Sequence, residues 1–104
     1  MAAIDLSNTS VFPKVHYIAS SGTTQQEIIL PPGKLRVSVG SAAALYVAWE
    51  SVSDGAAMPT NKVSIVAGNI LSFDLGHSKQ DRAEKLAVAA QSSSANIEII
   101  LERI

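Results

Sequence analysis

Lys34-Leu35-Arg36-Val37-Ser38-Val39 alternates a charged or polar residue with an aliphatic one, without a break. Successive side chains of an extended chain point to opposite faces, so this stretch predicts a strand. Leu35, Val37 and Val39 turn inward, and Lys34, Arg36 and Ser38 turn to solvent. Immediately before it, Leu30-Pro31-Pro32-Gly33 marks a turn, because proline lacks a donor and glycine admits positive φ. The same alternation recurs on both sides. Lys14 to Ser20 sets Val15, Tyr17 and Ala19 on one face, and Gln25 to Leu30 sets Ile28 with Leu30. Ala44 to Glu50 sets Leu45, Val47 and Trp49 inward, with Tyr46 and Ala48 opposite, as in a central strand. Lys62 to Val66, Ile70 to Leu75, Lys85 to Gln91 and Asn96 to Glu102 continue the series. Their rows are Val63/Ile65, Leu71/Phe73/Leu75, Leu86/Val88/Ala90 and Ile97/Ile99/Leu101.

Turn signals fall between these runs: Ser20-Ser21-Gly22, Gly40-Ser41, Ser53-Asp54-Gly55, Ala67-Gly68-Asn69, Gly76 and Ser92-Ser93-Ser94. Short strands at such spacing predict an all-β fold: a small antiparallel β-sandwich, jelly-roll-like, of about eight short strands. Leu35, Val37, Val47, Trp49, Phe73, Val88 and Ile99 are its expected core. One stretch admits helix as well. Ser78 to Gln91 is rich in helix formers and would support a helix from Gln80 to Ala87. The alternation of Leu86 and Val88, and the serine turn that follows, favour a charged loop feeding a strand. A faint echo relates Ile28-x-Leu30-Pro31-Pro32-Gly33 to Val63-x-Ile65-Val66-Ala67-Gly68, either as two similar hairpins or as a pseudo-twofold sandwich.

The chain has 104 residues, enough for one domain. At 47% hydrophobic and 16% charged it is not a disordered chain. A net charge of −1, without clusters of Lys and Arg, argues against nucleic acid as a partner. It has no cysteine, which excludes disulfides and thiolate chemistry. Met1 to Ser10 lack the positive charge and apolar run of a signal peptide, and no run approaches the ~20 apolar residues of a membrane helix. No membrane association is expected.

Candidate chemistry is sparse. Asp74-x-x-His77-x-x-x-Asp81 places two carboxylates near an imidazole, the groups that bind metals or move protons, but at no recognised ligand spacing. His16 is expected on an outward face, within reach of Glu27 across a hairpin. A metal-binding cupin needs clustered histidines, whereas His16 and His77 are far apart in sequence. No Gly-x-Ser-x-Gly elbow and no glycine-rich phosphate loop occurs. Parity puts Tyr17, Trp49 and Phe73 in the core, leaving Tyr46 and Phe12 as exposed platforms for a sugar. The mixed run Lys79, Asp81, Arg82, Glu84, Lys85 reads as a solvated loop or a polar contact with a partner subunit. The expectation is a non-enzymatic protein with no catalytic residue, no cofactor and no metal.

Apolar residues left over from the core point instead to association. Ile18, Ile29, Tyr46 and Ile100 fall opposite their strands' main rows. Residues 1–13 contain Ile4, Leu6, Val11 and Phe12, closed by Pro13. These features predict an extended N-terminal arm over 1–13 and a single sandwich domain over 14–104. Ile4, Leu6, Phe12, Ile18, Ile29, Tyr46 and Ile100 form the expected interface of a homo-oligomer, a trimer or a dimer. The long loop from Ser51 to Asn61 is of a length often given to function or motion.

Glu27-Ile-Ile-Leu-Pro-Pro-Gly-Lys-Leu-Arg-Val-Ser-Val39, followed by Ala44-Leu-Tyr-Val-Ala-Trp49, resembles small virion proteins of tailed bacteriophages. So do Val66-Ala-Gly-Asn-Ile-Leu-Ser-Phe-Asp-Leu75 and Ala87-Val-Ala-Ala-Gln-Ser-Ser-Ser-Ala-Asn-Ile-Glu-Ile99. The resemblance spans roughly residues 15 to 102 and rests on turn-and-strand signatures. The charged 77–85 loop departs from the pattern. It implies a capsid decoration or cement protein, in the virion after assembly in the host cytoplasm, with the major capsid protein or another virion protein as partner. The alternative it leaves is a tail- or fibre-associated module that binds carbohydrate or a receptor.

Overall fold

The computed structural model describes residues 3–75, 84–92 and 94–104. They form nine strands and no helix: β1 (Ile4–Asp5), β2 (Lys14–Ser21), β3 (Gln26–Ile29), β4 (Leu35–Ser41), β5 (Leu45–Ala48), β6 (Val63–Ile65), β7 (Ile70–Leu75), β8 (Lys85–Ala90) and β9 (Ser94–Arg103). Each of the eight expected runs became a strand, and β1 is an addition. Lys85–Ala90 is a strand as alternation favoured; residues 78–83 of that stretch lie outside the described residues.

The strands make two sheets, β1-β3-β8-β5-β6 and β2-β9-β4-β7. Without β1, this is the order of a jelly roll: every connection from β2 to β9 crosses between sheets except β5 to β6. All pairings are antiparallel except β1 with β3. The sequence echo has a structural counterpart. β3 leads into β4, and β6 into β7, through turns with Gly33 and Gly68 at positive φ of 106° and 83°; β4 and β7 are then neighbours.

The inner faces carry Ile28 and Leu30 from the β3 segment, with Leu35, Val37 and Val39 on β4 and Leu45 and Val47 on β5. Leu86 and Val88 on β8, and Ile97, Ile99 and Leu101 on β9, complete this layer, all fully buried. Burial of this aliphatic layer is the main stabilising contribution.

Three assignments of side chains to faces need correction. On β2 the expected row Val15, Tyr17, Ala19 faces out, and Ile18 is buried. Cross-strand partners share a face, and Ile18 pairs with Ile97 while Tyr17 pairs with Glu98; the longer apolar row of β9 therefore decides which side of β2 is inside. Trp49, expected in the core, is 43% exposed. It lies beyond Val47↔Val63, where pairing of β5 with the three-residue β6 stops, and rests edge-on against Phe73 with ring centroids 4.8 Å apart. Phe73 is itself only half-buried.

The N-terminal segment, expected as an extended arm, packs on its own chain over residues 4–6. β1 adds a parallel strand to β3, the Leu6 N–H donates to the Ile29 carbonyl at 2.8 Å, and Leu6 is buried among core residues at 8% exposure. β1 thereby forms the outer edge of the five-stranded sheet beyond β3. The 51–61 loop is pinned rather than loose. Gln25 is buried, and its backbone N–H donates to Ala56 at 2.6 Å while its carbonyl accepts from Gly55 at 2.8 Å. Its side-chain Oε1 accepts from the Ser53 N–H at 2.9 Å, and Nε2 donates to the Ala57 carbonyl. Asp54 Oδ1 accepts from Gln26 Nε2 at 2.8 Å and from the Glu27 N–H at 3.2 Å.

Candidate functional site

The residues expected to form an interface do not converge. Leu6 and Ile18 belong to the core, and Ile4 and Phe12 pack against it. Arg103 lies over the Phe12 ring at 4.5 Å. Ile29 and Ile100 are half-buried on the outer faces of different sheets, Ile29 beside Lys85 and Ile100 between Val15 and Ser38. Tyr46 is half-buried, with Lys62 Nζ 4.9 Å from its ring centre.

Exposed apolar side chains gather elsewhere, on the flank where both sheets end in β6 and β7. Among the described residues each of these strands pairs on one side only, β6 with β5 and β7 with β4. Val66 (67% exposed) and Ile70 (62%) flank the turn between them, Val63 is exposed on β6, and Trp49 lies at the far end against Phe73. The Ile70 side chain rests on β4, so close to Gly40 that a Cβ there would fall 2.9 Å from Ile70 Cγ1. Unpaired edges that carry apolar side chains are templates for association, usually blunted by proline, lysine or bulges. No proline interrupts β7, and its carboxylate Asp74 is paired across the sheet with Arg36 at 2.9 Å. Sequence reading missed Val63, Val66 and Ile70. The signal was present in part: a strand of three residues leaves Val63 on the inward row with little cover, and Ile70 falls on the same face of its run as Ser72 and Asp74.

Among the described residues, the expected titratable groups lie apart from one another. His77 and Asp81 lie outside the described residues, and Asp74 is taken up by Arg36. His16 does not meet Glu27, which pairs with Lys85 at 3.1 Å. Instead His16 Nε2 lies 3.1 Å from Thr9 Oγ1. The Thr9 Oγ1 also lies 2.8 Å from the Leu6 carbonyl, which accepts from the Thr9 N–H at 3.1 Å. Desolvation, with Lys14 nearby, holds the imidazole below its ordinary pKa. Asp5, which lines the same shallow cleft, is held below the usual carboxylate value by hydrogen bonds from Ser7. Among the described residues, no group of three His, Cys, Asp or Glu is placed to hold a metal ion, and no helix is long and apolar enough to cross a membrane.

No family model, no curated protein and no solved structure matches this chain.

Proposed function

We propose that the protein is a non-enzymatic structural component of a tailed-bacteriophage virion, a capsid decoration or cement protein that acts as a homo-oligomer. The observation that carries this reading is the open β6–β7 flank. Four large apolar side chains, Trp49, Val63, Val66 and Ile70, stand exposed on or beside β6 and β7, each of which pairs on one side only among the described residues. Association would remove that surface from water, at about 25 cal/mol per Å² before the costs of ordering. The turn-and-strand resemblance to small virion proteins supplies the setting, with the major capsid protein or another virion protein as the surface joined. A cement protein works by contact and needs no convergent chemistry.

Purified particles of the phage that encodes the chain provide the test. The protein is expected in them in many copies, and recombinant protein is expected to sediment with particles stripped of it. A Val66→Lys, Ile70→Lys double variant is expected to stay in the supernatant. Absence from purified particles would refute the virion role.

A further inference from the structure

At the opposite end of β4 from its glycine turn, the four-stranded sheet opens into a groove. β4 pairs with β9 as far as Ser41↔Ile97 and then leaves for β5, while β9 runs on through Asn96, Ala95 and Ser94, paired there with β2. The space β4 vacates is bordered by small side chains, Ala19, Ala42, Ala43 and Ala95, and forms a trough of about 610 Å³. A second hollow of about 470 Å³ shares Ala19, Ala42 and Asn96 with it and extends to Tyr17 and Glu98. Both volumes fall within the range of small-ligand clefts, about 300–1,000 Å³.

The groups around this groove are of a particular kind. Tyr17 is 74% exposed on the outer face of β2, a large ring that contributes little to the core. Directly across from it on β9 is Glu98, and across from Ala19 is Asn96; both side chains are exposed on the same outer face. Directly opposed residues lie about 5 Å apart and diagonal ones about 7–8 Å, so the Glu98 carboxylate stands beside the ring and the Asn96 amide one step along the same face. An aromatic face packs against the C–H face of a sugar ring, a carboxylate accepts from neighbouring hydroxyls, and an amide both donates and accepts. Glu98 is the charged residue bordering the groove, which disfavours phosphate and other anions.

We propose that this groove binds a neutral pyranose sugar, stacked on Tyr17 and hydrogen-bonded by Glu98 and Asn96. The groove adjoins the β6–β7 turn, whose Gly68 N–H donates to the Ser41 carbonyl at 2.9 Å, but the groups that would hold the sugar, Tyr17, Glu98 and Asn96, lie on β2 and β9. On a multimeric particle, repeated weak sites of this kind would gain avidity.

An array of neutral hexose, N-acetylhexosamine and deoxyhexose oligosaccharides selects the probe, and titration of ¹⁵N-labelled protein with the retained sugar locates it. Saturable shifts are expected at the amides of Ala19, Ala42, Asn96 and Glu98, with inorganic phosphate causing none. Tyr17→Ala is expected to keep the native spectrum, since the ring is outside the core, and to weaken binding by about tenfold or more. Glu98→Gln is expected to weaken it less. No retention of any glycan on the array would overturn the proposal, as would shifts that map elsewhere or equal affinity in Tyr17→Ala. These outcomes leave the virion reading untouched, because particle binding is read separately.

Discussion

The two flanks of the sandwich have been finished in different ways. On the flank of β2 and β3, residues 4–12 close the gap: β1 continues the sheet beyond β3, Leu6 fills the core, and Thr9 ties back to His16 on β2. On the flank of β6 and β7 the described residues provide no such cover, and Trp49, Val63, Val66 and Ile70 are exposed. Both flanks began with the same problem, an open end of two packed sheets with unsatisfied edges. Ile4, Leu6 and Phe12 therefore pack on the chain's own core, while Val11 stays 72% exposed.

The largest expected effect tests the closed flank. Leu6→Ala should lower unfolding free energy by about 2–4 kcal/mol in a urea titration, the cost of a core truncation. A loss below about 0.5 kcal/mol, typical of exposed positions, would return residues 1–13 to the status of a free arm. Next comes the anchor of the 51–61 loop. Gln25→Ala strands the Ser53 N–H and the Ala57 carbonyl, and should cost about 1–3 kcal/mol. An unchanged urea midpoint would show that this loop contributes nothing to stability. On the open flank, Trp49→Ala should cost only about 1–2 kcal/mol, because the ring is half-covered and its main partner is Phe73. A cost of about 3–5 kcal/mol, proper to a buried ring, would mean that the flank is closed in solution.

The smallest effect is a pH dependence on the closed flank. His16 titrates below its ordinary value of 6.5 in the folded chain. The unfolded chain then binds its proton first on acidification. The contribution is complete above the unfolded value, declines as pH falls toward the lowered folded value, and is flat below it. His16→Gln should remove that part of the slope in a melting-temperature profile between about pH 7 and 5. An identical slope in the variant would assign the dependence to other groups.

Strand positions were legible in the sequence because alternation and turn residues are local signals. Lys34 to Val39 and Ile70 to Leu75 could be read from their own residues alone. Faces were less legible where two rows compete within one strand. Val15-x-Tyr17-x-Ala19 outweighs His16-x-Ile18-x-Ser20 in bulk, yet the pairing with β9 reverses the choice, and pairing is not a local property. Trp49 has the correct parity but sits past the end of its neighbour, and the end of β6 depends on tertiary structure. The candidate surface was legible only as a surplus of apolar residues. Ile18 and Leu6 were counted in that surplus because nothing local distinguishes a residue waiting for another molecule from one waiting for a distant strand of its own chain.

The central claim, that the β6–β7 flank is the association surface, is tested most directly by solution mass. Light scattering at micromolar concentration should be run on the wild type, on Val66→Lys with Ile70→Lys, and on a chain starting at Lys14. The wild type is expected as a discrete homo-oligomer, and the flank variant as a folded monomer, since Val66 and Ile70 are 67% and 62% exposed. The shortened chain should lose stability, because Leu6 leaves the core. A monomeric wild type, or a flank variant that associates as the wild type does, would contradict the claim.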